Sequence, residues 1–162
     1  MPIYTKRRNI RLNKMAYQGP LTIALTLCFH KGIDVIEADL SDKVLEVINY
    51  VKGKYDLDIY AYCLMPDHLH LLVSLKDDKR NILDIVKHFK SKVSFELKGR
   101  CTAKQLWQDR FYDHVLRKDE DIYKQARYIL ENPVRKGLVI DFMEYKCMGG
   151  LYFEELKNAH LM

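Results

Sequence analysis

The chain lacks the features that mark membrane proteins and disulfide-rich secreted proteins. Its longest apolar run, residues 21–29, contains two threonines and falls well short of the roughly 20 residues needed to cross a bilayer. Its N-terminus is polar and basic, without the apolar segment of a secretory signal. The four cysteines are far apart and form no CxxC pair, which argues against a zinc knuckle or a disulfide framework. We therefore expect a cytoplasmic protein with reduced thiols and no membrane partner.

Length and composition favour a single domain with one core. The chain has 162 residues, of which 48% are hydrophobic, enough to bury a substantial interior. It contains no internal repeat and no low-complexity segment. We predict a basic N-terminal arm over residues 1–19, a main domain over 20–140 and a C-terminal extension of that domain over 141–162.

Positive charge is unevenly distributed along the sequence. The net charge is only +5, but residues 1–14 carry five basic side chains and no acidic one, and a second excess lies between Lys87 and Lys118. Clustered basic residues attract polyanions such as nucleic acids, because neutralising phosphates releases condensed counterions. A basic terminus is also often a solvated tail, so charge alone does not establish nucleic-acid binding.

The pattern of apolar residues predicts a βαββαβ order with a further helix. A buried strand over 21–29 precedes a helix that Ser41 caps and Gly53 ends, and residues 57–64 and 68–75 form a hairpin around a Met65–Asp67 turn. Asn81 caps the second long helix, residues 112–117 form the fourth strand, and Asp119 caps a last helix that ends before Pro133. This succession predicts a ferredoxin-like α+β fold, an antiparallel sheet with helices on one face plus a C-terminal helix. Such a fold does not determine function.

Two histidines one residue apart lie in the predicted third strand. Residues two apart on a strand project to the same face, so His68 and His70 can both bind one ion. Neutral imidazoles accept transition metals, and added oxygen ligands also permit Mg²⁺. The simpler interpretation is an alternating strand with its histidines on the exposed face. A third ligand is needed to favour the metal site.

The last predicted helix places Tyr128 and Asn132 one turn apart on its polar side. The pair offers a phenol as nucleophile and an amide oxygen as a metal ligand. With eleven tyrosines in the chain, a packing role is the ordinary interpretation of any one of them. The neighbouring amide is what distinguishes Tyr128.

Four segments together resemble the REP-associated tyrosine transposases, a branch of the single-tyrosine HUH transposases of insertion sequences. They are CLMPDHLHLLV (63–73), FKSK (89–92), LWQDRFYDHVLR (106–117) and YILENPVRKGLV (128–139), and the resemblance runs from about residue 21 to 139. It implies that residues 20–140 form an HUH transposase domain, with His68 and His70 as the HUH pair. It further implies that Tyr128 is the nucleophile and Asn132 the third ligand, where related insertion-sequence enzymes usually have glutamine.

The resemblance also implies an activity and a substrate. We expect an endonuclease and strand transferase, dependent on Mg or Mn, that acts on single-stranded DNA carrying a hairpin through a 5′-phosphotyrosine intermediate. Trp107, Phe111 and Tyr112 could stack on bases, although the first two could equally form a small core. Whether one chain or a homodimer completes the active site stays open. The residues expected to contact DNA are Lys6, Arg7, Arg8, Arg11, Lys87, Lys90, Lys98 and Arg110.

Some features depart from the family pattern or leave other functions open. The first strand lacks the histidine-containing start common in relatives, and Tyr145–Met148 stands where relatives often have Trp-Ser-Ser; both bear on target recognition. A non-catalytic nucleic-acid-binding ferredoxin-like module could use Tyr60 and Tyr62. A domesticated, binding-only transposase is another alternative. A histidine-triad hydrolase is disfavoured because Leu72 occupies the position of the third alternating histidine.

Overall fold

The fold is a five-stranded antiparallel sheet with helices on both faces. The structure, a computed structural model, describes residues 13–35, 40–100, 105–118 and 120–161. The strand order is β4-β1-β3-β2-β5, and the first four strands have the antiparallel 4-1-3-2 order of a ferredoxin-like α+β fold, as predicted. The strands are β1 Leu21–Cys28, β2 Asp58–Leu64, β3 His68–Leu75, β4 Tyr112–Val115 and β5 Met148–Gly149.

Two long helices cover one face of the sheet. α1 (Leu40–Tyr55) and α2 (Ile82–Glu96) bury their apolar sides against alternating residues of the central strands. Leu25 and Leu71 contribute to this core and are register partners on β1 and β3. Asn81 caps α2 by accepting a hydrogen bond from the amide of Leu83 at 2.9 Å, as the sequence predicts.

The second face of the sheet is covered by helices from the C-terminal part of the chain. α3 (Ile122–Leu130) is followed by the short α4 (Asn132–Arg135), and α5 (Leu151–His160) comes after β5. Ala126 and Ile129 of α3 pack against Leu72 of β3 and Ala61 of β2. The C-terminal extension thus supplies β5 and α5, two elements that the sequence pattern does not indicate.

Several predicted helix boundaries are wrong by a few residues. α1 begins at Leu40, which places Ser41 inside its first turn, and it continues past Gly53 to Tyr55. Asp121, two residues after the predicted Asp119, caps α3 by accepting hydrogen bonds from the next amides. A short polar side chain can accept such bonds only from the position where the chain enters the helix. Several neighbouring residues are of a type that can cap a helix, so the sequence does not show which of them does.

The helices on both faces leave little open sheet for direct stacking of bases. Tyr60 packs against the core beneath α3 and α5, and Tyr62 packs against the core beneath α1 and α2. The Tyr62 ring also lies against Gly149, where a β-carbon would be 2.6 Å from the hydroxyl oxygen. These tyrosines are therefore not presented as an open stacking surface. No helix within the described residues is long and apolar enough to span a membrane.

Candidate metal and nucleophile site

His68 and His70 meet on the sheet face that α3 covers. Alternation along β3 puts them on the same side as Leu72, which packs against α3, whereas Leu69 and Leu71 face the other core. Their Nε2 atoms lie 2.9 Å apart, with the rings nearly perpendicular. The His68 side chain is only 17% exposed, so the interpretation of an alternating strand with exposed histidines is wrong.

Both rings are fixed through their other nitrogen. Nδ1 of His68 lies 2.6 Å from Oδ1 of Asp67, and Nδ1 of His70 lies 3.0 Å from Oγ1 of Thr26 on β1. A metal-binding histidine characteristically donates its second ring N–H to a carboxylate or similar acceptor, which sets the tautomer and the orientation of the ring. Both histidines have such an acceptor in place.

The electrostatic environment keeps the His70 ring neutral. Burial, the neighbouring His68 and then the positive charge of Arg135 lower the pKa of His70 to about 3. The His70 ring is therefore neutral near pH 7, with a proton on only one of its two nitrogens. Partial burial opposes ionisation of Asp67, but the hydrogen bond and charge of His68 outweigh it and hold the pKa of that carboxyl below its usual value. The site thus pairs neutral imidazole with an ionised carboxylate, the protonation states that metal binding requires.

The spacing of the two nitrogens fits a single ion. Metal–nitrogen distances of about 2.0–2.1 Å at a right angle separate two ligand atoms by about 2.9 Å, the distance found between the Nε2 atoms. Within the described ranges, no group of three or more His, Cys, Asp or Glu side chains could hold a metal. Those residue types do not include amides, and an amide oxygen is a ligand that suits Mg²⁺ or Mn²⁺.

Tyr128 and Asn132 lie where the chain leaves α3. Tyr128, in the last turn, is 43% exposed, consistent with its predicted polar face. The sequence predicts one helix here, but the structure interrupts it at Glu131. Asn132 is the first residue of α4, and Pro133 follows it in the chain. The Asn132 Nδ2 donates to the carbonyl oxygens of Ile129 at 3.0 Å and of Tyr128 at 3.4 Å. This fixes the amide so that Oδ1, the ligand-type atom, is turned away from those carbonyls.

The structure links these two groups of residues through Arg135. Its guanidinium carbon lies 4.0 Å from the Tyr128 ring centroid, and its charge acts on His70. Among the described residues, no hydrogen bond joins either histidine directly to Tyr128 or Asn132. The neighbouring Lys136 also lowers the pKa of Asp67, so positive charge from α4 reaches the histidine side of the sheet.

Three of these residues were not identified from the sequence. Asp67 directly precedes His68, which is a usable signal, and Arg135 follows Tyr128 by seven residues, or two helical turns. Thr26 carries no local signal, because its contact with His70 depends on the register between β1 and β3.

A cleft of about 430 Å³ runs beside Tyr128. Its walls include Glu120, Asp121 and Lys124, but both carboxylates already accept hydrogen bonds: Asp121 caps α3, and Glu120 receives the amide of Arg117. The pKa of Glu120 is lowered, first by that amide and then by His114. The exposed ring of Tyr128 is thus accessible from solvent.

The predicted DNA-binding residues are dispersed. Lys87, Lys90 and Lys98 lie on or just after α2, across the sheet from the histidine pair. Lys87, Lys98 and Arg110 are exposed, whereas Lys90 donates to the carbonyl of Gln108 at 2.7 Å. The basic residues Lys6, Arg7, Arg8 and Arg11 lie outside the described residues.

The aromatic residues offered for base stacking differ in exposure. Trp107 is 5% exposed, stacks on Phe29 at 4.2 Å between centroids and donates its indole N–H to the Lys90 carbonyl. Phe111 is partly buried against the same core. The small-core interpretation is therefore correct for both, and Tyr112, at 60% exposure, is the one left accessible.

The fold and the paired imidazoles define a class: a ferredoxin-like α+β protein with a histidine pair beneath a tyrosine-bearing helix. The chain belongs to the family of IS200-like transposases, whose family model matches residues 17–132. That match includes every residue of the candidate site up to Asn132. Arg135 lies just beyond it.

Individual relatives agree with the resemblance seen in the sequence. The chain is 30% identical over 95 residues to a provisionally named REP-associated tyrosine transposase of Haemophilus influenzae, covering 52% of this chain and 54% of that protein. It is 28% identical over 89 residues to the REP-associated tyrosine transposase of Escherichia coli K12, covering 55% and 52%. The matches thus span about half the length of these curated relatives.

A solved structure supports the fold. The structure of a REP-associated tyrosine transposase bound to a REP hairpin superposes with a TM-score of 0.73 at 21% identity, covering 88% of this chain and 82% of that one. Together with the curated relatives, this confirms the predicted similarity to REP-associated tyrosine transposases.

Proposed function

We propose that this chain is a metal-dependent endonuclease and strand transferase for single-stranded, hairpin-bearing DNA that works through a 5′-phosphotyrosine intermediate. The observation that carries the proposal is the approach of the His68 and His70 Nε2 atoms to 2.9 Å, with each ring held by a hydrogen bond through its Nδ1 atom. Membership of the IS200-like transposase family and the REP hairpin bound by the structural relative support a hairpin substrate.

His68, His70 and Asn132 are the residues that would hold the ion, taken to be Mg²⁺ or Mn²⁺. A bound ion supplies Lewis-acid polarisation of the scissile phosphate. The chain contributes the neutral state of His70 and the hydrogen bonds that hold both rings. The amide of Asn132, tied through its nitrogen to the end of α3, offers its oxygen as the third ligand.

Tyr128 is the proposed nucleophile. Its Oη forms a bond to phosphorus while the bond from phosphorus to the 3′ oxygen breaks. The phenol proton passes to solvent, and the departing 3′ oxygen takes up a proton to become a free 3′-OH. The phosphotyrosine preserves a phosphodiester, so a second 3′-OH can attack it and release Tyr128, which makes the overall reaction strand transfer.

Basic residues would hold the DNA backbone near these groups. Lys136 places positive charge near Asp67, next to the histidine pair, which attracts phosphate and favours the approach of a polyanion. The predicted DNA contacts are Lys6, Arg7, Arg8, Arg11, Lys87, Lys90, Lys98 and Arg110. Lys87 and Lys98 lie on the opposite side of the sheet from the histidines. DNA that contacts these lysines and the histidine site would therefore have to run around an edge of the sheet.

The test is Tyr128→Phe, which removes one oxygen and keeps the ring. Wild-type protein incubated with Mn²⁺ and a hairpin oligonucleotide labelled on either side of the cut should retain only the 3′-side fragment covalently. Tyr128→Phe should form no adduct while binding the hairpin normally. Tyr123→Phe, another exposed tyrosine of α3, is the matched control and should react like wild type.

The results also separate the enzyme from a binding-only transposase. An adduct that persists in Tyr128→Phe would move the nucleophile to another tyrosine. Hairpin binding by wild-type protein without an adduct under any divalent metal would support the binding-only alternative and contradict the proposed chemistry.

A further inference from the structure

Arg135 contacts Tyr128 in two ways. Its guanidinium carbon lies 4.0 Å from the centre of the tyrosine ring, and its Nη2 donates to the Tyr128 carbonyl oxygen at 2.5 Å. Both contacts span the break at Glu131, because Arg135 is the last residue of α4 and Tyr128 lies in the last turn of α3.

A carboxylate also lies beside the guanidinium. Glu131 lies 3.7 Å from Nη1 of Arg135 and also accepts from Nε of Arg127 at 2.8 Å. A planar guanidinium that lies over a ring and also donates from its edge to a backbone carbonyl is restrained in position and orientation. An ammonium group could not make the same set of contacts.

The Tyr128 carbonyl accepts hydrogen bonds from both Arg135 and the proposed metal ligand Asn132. It receives Nη2 of Arg135 and, at 3.4 Å, Nδ2 of Asn132. Arg135 therefore touches the proposed nucleophile and the carbonyl that helps to hold the proposed amide ligand. Because the Tyr128 ring is 43% exposed, core packing alone does not fix its orientation.

We propose that Arg135 is a positioning residue, which holds the Tyr128 ring and the start of α4 in the relation needed for attack on the phosphate. This inference rests on the proposed function. It assigns Arg135 a role at the tyrosine rather than a role as one more cation for the DNA backbone. The two roles differ in which step fails when the guanidinium is removed.

The experiment compares Arg135→Ala and Arg135→Lys with wild type. Under single turnover at saturating hairpin DNA, the adduct should form about 10–100-fold more slowly in Arg135→Ala, the loss expected when a reacting group is misplaced by about 1 Å. Arg135→Lys should recover little, since an ammonium cannot stack and donate together. Added guanidinium ion should partly restore the rate of Arg135→Ala. The matched control is Lys157→Ala, which removes a cation lying 5.4 Å from the Phe153 ring on α5 and should react normally.

A second measurement reports on the ring without metal, DNA or turnover. In protein labelled with 3-fluorotyrosine, the Tyr128 fluorine resonance is the one that disappears in Tyr128→Phe. We expect Arg135→Ala to move this resonance towards that of a freely exposed tyrosine and to narrow it, while Lys157→Ala leaves it in place.

The outcomes distinguish this inference from the proposed function. Wild-type protein that forms no adduct contradicts both. A normal wild-type adduct with an unaffected rate in Arg135→Ala contradicts the role of Arg135 alone. A slower rate with an unchanged Tyr128 resonance also overturns it, because the guanidinium would then act on the DNA and not on the ring.

Discussion

The Nε2 atoms of His68 and His70 lie 2.9 Å apart on a sheet face covered by α3. Two imidazoles held this close, with Nδ1 of each bonded to Asp67 or Thr26, can hydrogen-bond to one another only if one Nε2 donates and the other accepts. A shared cation satisfies both lone pairs together. The proposed metal site would use this close approach of the two nitrogens.

The first prediction concerns metal binding by the histidines. We expect saturating Mn²⁺, at about 100 times its Kd, to stabilise the wild-type fold by about 2.7 kcal/mol and to raise its Tm by about 5–10 °C. His68→Gln and His70→Gln should lose most of this shift, measured by thermal unfolding with and without EDTA. His88→Gln, on the opposite side of the sheet, is the control and should keep it. An equal shift in all three variants would place the metal elsewhere.

The second prediction concerns Thr26, which holds His70 from the neighbouring strand. Thr26→Val keeps the shape of the side chain and its preference for a strand but removes the acceptor for Nδ1, so Mn²⁺ affinity measured by calorimetry should fall about 10–100-fold. Thr22→Val is a close control: Thr22 lies on the same strand and face, and its hydroxyl bonds Ser74 instead of a histidine. Equal losses in the two variants would mean that the effect comes from the sheet and not from the histidine.

The third prediction is a pH dependence of stability. The pKa of His70 is lowered to about 3 in the folded protein, chiefly by burial, whereas an unfolded histidine titrates near 6.5. Between these values the unfolded chain binds a proton that the native site does not, so stability falls as pH drops, by up to about 1.4 kcal/mol per pH unit from this group.

This dependence can be isolated with a variant. Urea unfolding of metal-free protein at pH 7, 6 and 5 should show a steeper loss in wild type than in His70→Gln. Replacing the exposed His30 with Gln should leave the wild-type slope. Parallel slopes in wild type and His70→Gln would show that His70 titrates normally.

The fourth prediction concerns the basic N-terminal arm. Deleting residues 1–12 removes Lys6, Arg7, Arg8 and Arg11 but retains Asn13, which caps the turn at Lys14–Tyr17. If the arm binds phosphates, hairpin affinity should fall and the log–log salt dependence should flatten by about 0.7–0.9 for each phosphate that the arm neutralises. Fluorescence anisotropy between low and moderate salt measures both. An unchanged slope would show that the arm contacts no phosphates and is a solvated tail.

Much of the fold followed from local patterns in the sequence. Strands β1 to β4 and helix α2 were predicted because alternation and helical spacing of apolar residues report directly on which side of an element is buried. The ends of α1 and α3 were less well predicted, since several capping residues lie near each boundary. The strand β5 has only two residues, Met148 and Gly149, too few to produce a periodic signal.

The sequence alone determined the pairing of His68 with His70 on one face and the polar position of Tyr128, because each depends on residues close together in the chain. It also determined the family resemblance, which is carried by four short motifs. Only the tertiary structure decided that this face lies beneath α3, that Thr26 supports His70 and that Arg135 stacks on Tyr128. Strand register brings residues 26 and 70 together, and the Arg135 side chain reaches across the break at Glu131 to the Tyr128 ring. The contact between Thr26 and His70 depends on how distant segments pack, and that between Arg135 and Tyr128 depends on where the helix breaks. The periodicity of apolar residues encodes neither.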